Sequence, residues 1–186
     1  MEIDSIRHMT VEEYVAYDEA IEYKSEYIDG VVYPMMSGTA SHAAIVVNAA
    51  CAVWERVKSK QCRALMGNMR IGVSPSRFLY PDFSVYCGKP ELDERKLNLF
   101  NPTLLGEVKS PYATVFEDGN KRDYFRRIPS LQVYLQVDQN DALVQVDTRE
   151  TGTWYTQEYA GLDAVISLPA IGCDLPLAEI YAGISF

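Results

Sequence analysis

The tripeptide Glu-x-Lys occurs three times in this 186-residue chain, as Glu22 to Lys24, Glu94 to Lys96 and Glu107 to Lys109. Two copies lie in polar surroundings where every member can point into water. The third sits in the apolar run TLLGEVK, next to Leu104, Leu105 and Val108. Strand alternation puts Glu107 and Lys109 on one face, away from Val108. Charges in such a strand are costly unless they are paired or bind a metal. Asp82 supplies the second half of the pattern. It is the only one of twelve aspartates preceded by proline, and Tyr80-Pro81-Asp82 leads directly into Phe83, Val85 and Cys87. Its carboxylate is therefore expected at the mouth of a strand. Two carboxylates converging from neighbouring strands form a hard-oxygen site that suits Mg²⁺, with Mn²⁺ able to substitute. A lysine beside them can orient or deprotonate a water and offset charge developing on phosphorus. Phosphodiester hydrolysis is the chemistry that such parts suit. The same spacing also fits a buried structural ion pair, with Asp82 merely capping a turn.

The elements that must position these residues follow from local patterns. Thr10 and Glu13 form a capping box for a short amphipathic helix to about Ile21. Residues 24 to 28 and 31 to 35 flank Asp29-Gly30, a pair suited to a tight hairpin turn. Ser41 is the expected cap of a longer core helix through about Val57, with Ala44, Val47, Cys51 and Trp54 along its apolar stripe. Strands are expected between Cys62 and Tyr86, broken at Gly67 and Gly72, with Ser74-Pro75-Ser76 as a turn. A polar loop, GKPELDERKLN, precedes the TLLGEVK strand. Residues 116 to 127 read as a helix on the sheet surface, ended by Ile128-Pro129-Ser130. Residues 131 to 137 alternate, with Gln132 and Tyr134 on the polar face. A hairpin around Glu150-Thr151-Gly152 and a short helix near residues 176 to 181 close the chain. The pattern predicts one α/β domain over residues 1–186, with a mixed central sheet flanked by helices and an N-terminal helix-hairpin arm.

Composition narrows the classes. The net charge of −9 speaks against a polyanionic partner, but residues 54 to 127 hold fourteen bases against nine acids. The positive charge thus falls on the segment that carries the candidate site. Lys121, Arg122, Arg126 and Arg127 make a basic stretch that suits phosphate contacts or a solvated face alike. Cys51, Cys62, Cys87 and Cys173 lack zinc-site spacing and are expected as buried free thiols. No leader and no membrane-spanning segment is recognisable, so a soluble, cytoplasmic protein without a small-molecule cofactor is expected.

The segments MTVEEYVAYDEA, KSEYIDGVVYPM, LYPDFSVYCG, FNPTLLGEVKSP and YFRRIPSLQVYLQVD occur in that order, followed by LDAVISLPAIGCDLPLAEIY. Together they resemble the Uma2 family (DUF820) of restriction endonuclease-like proteins over nearly the whole chain. The resemblance implies a PD-(D/E)XK nuclease fold, a homodimer, DNA as partner, and a divalent-metal site on Asp82 and Glu107 with the Val108 carbonyl as a further ligand. Many members have an apolar residue where Lys109 stands and take their lysine from the next helix, which here would be Lys121. Strand geometry favours Lys109. Glu26 matches a glutamate of the family pattern and is a candidate third carboxylate. His42 also matches a family position, but reads as a helix-start hydrogen-bonding group outside the chemistry. A protein that keeps the fold without catalysis, as a dimeric nucleic-acid-binding or scaffold protein, is the competing expectation.

Overall fold

The computed structural model describes residues 7–35, 38–109 and 121–186. The N-terminal arm begins with strand β1 (Arg7–His8) and helix α1 (Val11–Ala20). The capping box forms as the sequence predicts. Thr10 Oγ1 accepts from the Glu13 amide at 3.2 Å, and Glu13 Oε2 accepts from the Thr10 amide at 2.8 Å. Strands β2 (Ser25–Ile28) and β3 (Val31–Pro34) then form the hairpin. Its turn residues Asp29 and Gly30 take φ of 48° and 95°, the left-handed region that a tight turn of this kind requires. The hairpin belongs to a six-stranded sheet with β5 (Arg70–Ser74), β6 (Arg77–Leu79) and β8 (Asn98–Leu99), in the order β1-β3-β2-β6-β5-β8.

The second six-stranded sheet holds β4 (Cys62–Met66), β7 (Phe83–Cys87), β9 (Leu104–Val108), β10 (Val133–Val137), β11 (Leu143–Glu150) and β12 (Thr153–Ala160). Their order is β12-β11-β10-β9-β7-β4, with β9 and β10 parallel and β7 antiparallel to β9. Helix α2 (Ala40–Val57) covers one face of this sheet. A closing hairpin of β13 (Val165–Leu168) and β14 (Cys173–Pro176), with helix α4 (Leu177–Ile180), packs against the same core. On the opposite face Leu105 and Tyr134 meet Ile28, Ile71, Leu79 and Leu99 of the first sheet, with Phe125, Ile128 and Leu131. Phe125 ends a helical turn at residues 121–125, here α3. Residues 116–120 of the expected surface helix lie outside the described residues.

Several local expectations change, the first because the second sheet is covered on both faces. Tyr134, expected on a polar face, is 2% exposed and packs in the core with Phe125. Helix α2 presents Ile45, Ala49, Ala52, Val53 and Val57 to the sheet, whereas Ala44, Val47, Cys51 and Trp54 face outward. Both stripes have helical spacing, and alanine-rich periodicity alone does not separate them. The cap is Thr39, whose hydroxyl accepts from the His42 amide at 3.0 Å, rather than Ser41. Gly72 lies within β5 at a register shift instead of ending a strand. The cysteines divide: Cys62 and Cys87 stand directly opposite on β4 and β7 and form a disulfide, Cys51 is exposed, and Cys173 is half-buried. Sequence separation gave no hint of that pairing, because it depends on the register of two antiparallel strands.

Gly106 fixes how β7 meets β9. It lies opposite Phe83 in the ladder, and a Cβ there would stand 2.1 Å from the Phe83 ring. The ring, itself fully buried, therefore crosses the β9 backbone beside Asp82 and Glu107. Gly106→Val is expected to cost about 1–3 kcal/mol through overpacking. Urea denaturation checks this, and an unchanged midpoint would show that Phe83 has another place to go.

Candidate active site

The two carboxylates come from the strands expected to carry them. Asp82 immediately precedes β7, and Glu107 is the fourth residue of β9, on the same face as Leu105. Asp82 Oδ2 accepts a 2.7 Å hydrogen bond from the Val108 amide, which ties the start of β7 to the end of β9. From the α2 side, His42 Nε2 stands 3.4 Å from the same oxygen. The hydrogen bond to Asp82 is the main reason that the imidazole sits above its usual pKa; burial opposes it, and the Val108 backbone adds support. Gly38 leaves room for this ring, since a Cβ there would lie 2.7 Å from His42 Nδ1. His42 thus belongs to the site. Its family position was the available sequence signal, and its apolar helical setting hid the contact.

The lysine that reaches Glu107 is Lys121 of α3. Its ammonium lies 2.9 Å from Glu107 Oε1 and 2.8 Å from Glu26 Oε1, and donates to the Tyr80 carbonyl at 2.7 Å. Glu26 is itself buried on β2 of the other sheet, where Oε1 also accepts from the Tyr80 amide at 2.9 Å. Lys121 therefore bridges carboxylates from both sheets. Lys109 follows β9 directly and bonds through its backbone amide to the Val137 carbonyl at 2.8 Å. Among the described residues, the ion pair of Glu107 is with Lys121 and not with Lys109. Residing on the same strand face did not bring the Lys109 ammonium to its neighbour, whereas a helix laid over the sheet did.

Burial pushes the Glu107 carboxyl up to about 8, with Asp82 and Glu26 adding repulsion and Lys121 opposing both. Burial by itself would lower Lys121, but Glu107 and Glu26 outweigh it and hold the ammonium charged above the ordinary lysine range. The pair is short of compensating positive charge, not of negative charge.

Part of the basic stretch is drawn inward, while Arg127 stays exposed. Arg122 makes two 2.6 Å bonds to Asp147, a fully buried carboxylate on β11 that also accepts from Thr156. Arg126 lies against Trp154 and Arg127 over Tyr124. This pairing holds α3 against the second sheet next to Lys121.

Among the described residues, no three His, Cys, Asp or Glu side chains gather as a ready-made metal site. Glu107 Oε1, although in ionic contact with Lys121, is buried without an aligned hydrogen-bond partner. An acceptor in that condition, next to a second carboxylate, fits a hard cation that brings its own water ligands.

The fold and this cluster define a mixed α/β protein of the restriction endonuclease-like class. The chain belongs to the Uma2 family, whose model, described as "Putative restriction endonuclease", matches residues 11–178. It is 30% identical over 141 residues to the Synechocystis protein sll1609, covering 75% of this chain and 80% of that one. It is 28% identical over 182 residues to a second Synechocystis protein, slr1290, covering 96% and 94%. A crystal structure from Anabaena variabilis, described as "a putative nuclease belonging to DUF820", shares the fold with a TM-score of 0.77 at 20% identity, over 94% of this chain and 98% of that one. No helix among the described residues is long and apolar enough to cross a membrane.

Replacing Lys121 with methionine strands two buried carboxylates and is expected to cost about 3–5 kcal/mol of stability. Lys109→Met should cost far less, and adding Glu26→Gln and Glu107→Gln to Lys121→Met should restore much of the loss. Denaturant midpoints test this, and equal losses for the two lysines would contradict the assignment.

Proposed function

We propose that the protein is a metal-dependent phosphodiester hydrolase, a DNA endonuclease, acting at the cluster of Asp82, Glu107, Glu26 and Lys121. The observation that carries this reading is the Lys121 ammonium, buried between Glu26 and Glu107, with Asp82 tied through its carboxylate to the Val108 amide next to Glu107. Burial is the main cause that raises Glu107, and Asp82 and Glu26 add repulsion that a single structural ion pair with Lys121 would not require. Family membership supports the same reading.

Asp82 and Glu107, with the Val108 carbonyl, would hold a divalent cation, Mg²⁺ or in its place Mn²⁺. When bound, it supplies Lewis-acid polarisation of the scissile phosphoryl group. The other roles fall to this chain's residues. Lys121, kept charged by its neighbours, is placed to offset negative charge developing on phosphorus. It serves as the active lysine in preference to Lys109. Glu26 holds that ammonium, and through the Tyr80 amide it ties the ammonium to the segment leading into Asp82. His42 orients Asp82 from the far side. A homodimer is part of the proposal. The exposed Cys51 and Trp54 on α2 suit a contact between two copies, because large apolar groups on a surface helix commonly mark one.

Asp82→Asn and Glu107→Gln are each expected to abolish Mg²⁺-dependent nicking of circular plasmid, with circular dichroism unchanged. Lys121→Met should lower cleavage by about 10²-fold or more, as loss of an electrostatic contact in the transition state does. Lys109→Met should leave most of the activity. Cleavage that survives in the purified carboxylate variants would sink the proposal and favour a binding protein on the same fold.

A further inference from the structure

We infer that the cleft beside Asp82 receives one unstacked nucleobase, so that the substrate is single-stranded or locally unpaired nucleic acid rather than regular duplex. This rests on the nuclease reading and narrows it. The cleft holds about 420 Å³, and His42 and Asp82 form part of its wall, so it adjoins the candidate active site on its Asp82 side. A phosphodiester at the carboxylates would have its adjoining nucleoside at this opening.

The remaining wall has the chemistry of a base pocket. Met35, Val46, Val47 and Met66 supply apolar surface, and Asn68 and Lys24 supply an amide and a cation. Val47 and Met66 are large apolar groups left 48% and 47% exposed, although the core lies within reach of their own elements. Valine and methionine side chains can take the face of an aromatic ring, and thioethers favour such contacts. An asparagine amide can pair with a base edge, and a lysine with the flanking phosphate. A base inside a duplex cannot offer its face, because its neighbours are stacked on it.

Charge distribution points the same way. Duplex binding draws most of its affinity from cations along the phosphates. Here the net charge is −9, Lys24 at the cleft donates to the Gly67 carbonyl, and several cations of the chain are held in ion pairs, some buried and some on the surface. Arg70 pairs with Asp18, Arg77 with Asp29, Arg95 with Glu19 and Arg122 with Asp147, while Lys121 lies buried between Glu26 and Glu107. The positive segment apparent in the sequence is thus partly neutralised in the fold. With few unpaired cations at the cleft, the phosphates contribute less to binding there, and contact with the base must supply more of it.

The test uses the full chain in EDTA and fluorescence anisotropy with three labelled oligodeoxynucleotides: a single strand, its duplex, and that duplex with one unpaired central nucleotide. The single strand and the interrupted duplex should bind about tenfold tighter than the regular duplex, the size expected for one base contact. Their salt dependence should correspond to about one or two phosphates. Ala43→Trp, on an exposed position that lines the cleft, should erase the preference without altering the far-ultraviolet spectrum. Equal or tighter duplex binding, or a preference that survives Ala43→Trp, would overturn the inference. Wild-type cleavage of the same three substrates with Mg²⁺ separates the two levels of failure. Duplex cut as fast as single strand removes this inference alone, whereas no cleavage of any substrate removes the nuclease reading with it.

Discussion

A single buried ammonium group joins the two sheets. Lys121 comes from α3, Glu26 from the first sheet and Glu107 from the second, and the three charges meet in the space between the layers. An ion pair in such a place gains stability only when geometry and further hydrogen bonds compensate for lost hydration. The Tyr80 backbone provides that compensation on both sides, since its amide donates to Glu26 and its carbonyl accepts from Lys121. Tyr80 lies two residues before Asp82, so the segment that satisfies the pair also sets the position of the second carboxylate. The remaining site geometry follows from this arrangement.

Supporting contacts extend outward from that centre in both directions. On the first-sheet side, the Tyr80 hydroxyl donates to Asp18, which pairs with the buried Arg70 and accepts from Ser25. Tyr14 of α1 stacks on Tyr27 and donates to the Ser25 carbonyl, so the N-terminal arm is packed onto the strand that carries Glu26. On the other side, the forked guanidinium of Arg122 grips Asp147 and fixes α3 one residue from Lys121. Both supports consist of buried charge-assisted hydrogen bonds, which hold direction as well as distance.

Much of this was legible from local sequence. The capping box at Thr10 and the Asp29-Gly30 hairpin are short-range signals in which a few residues determine the geometry. Asp82 and Glu107 stood out because carboxylates at the mouth of one apolar strand and within another are improbable without a reason. The lysine was harder. Lys109 and Glu107 share a strand face, but a side chain at i+2 extends parallel to its neighbour, and the ammonium that meets Glu107 comes from a helix crossing above the sheet. That crossing depends on Arg122 and Asp147, which are 25 residues apart. The Cys62–Cys87 bridge and the burial of Tyr134 are likewise matters of strand register and of what covers a sheet, neither of which a periodicity can register. The two apolar stripes of α2 show the same limit on a helix, where only the packed structure tells the core face from the exposed one.

The charge balance of the cluster explains why it is poised and not merely stable. Asp82, Glu107 and Glu26 would carry three negative charges when ionised, and Lys121 returns one, which leaves an excess of two on groups that are buried or mostly so. Burial and mutual repulsion therefore act together on Glu107, raising its pKa even though an ammonium stands 2.9 Å away. A protein selected only for stability would relieve the excess by losing a carboxylate, because uncompensated buried charge is among the costlier features a core can hold. Retaining all three is consistent with a site completed by a cation from solution, and Asp82 correspondingly holds the His42 imidazole above its usual pKa.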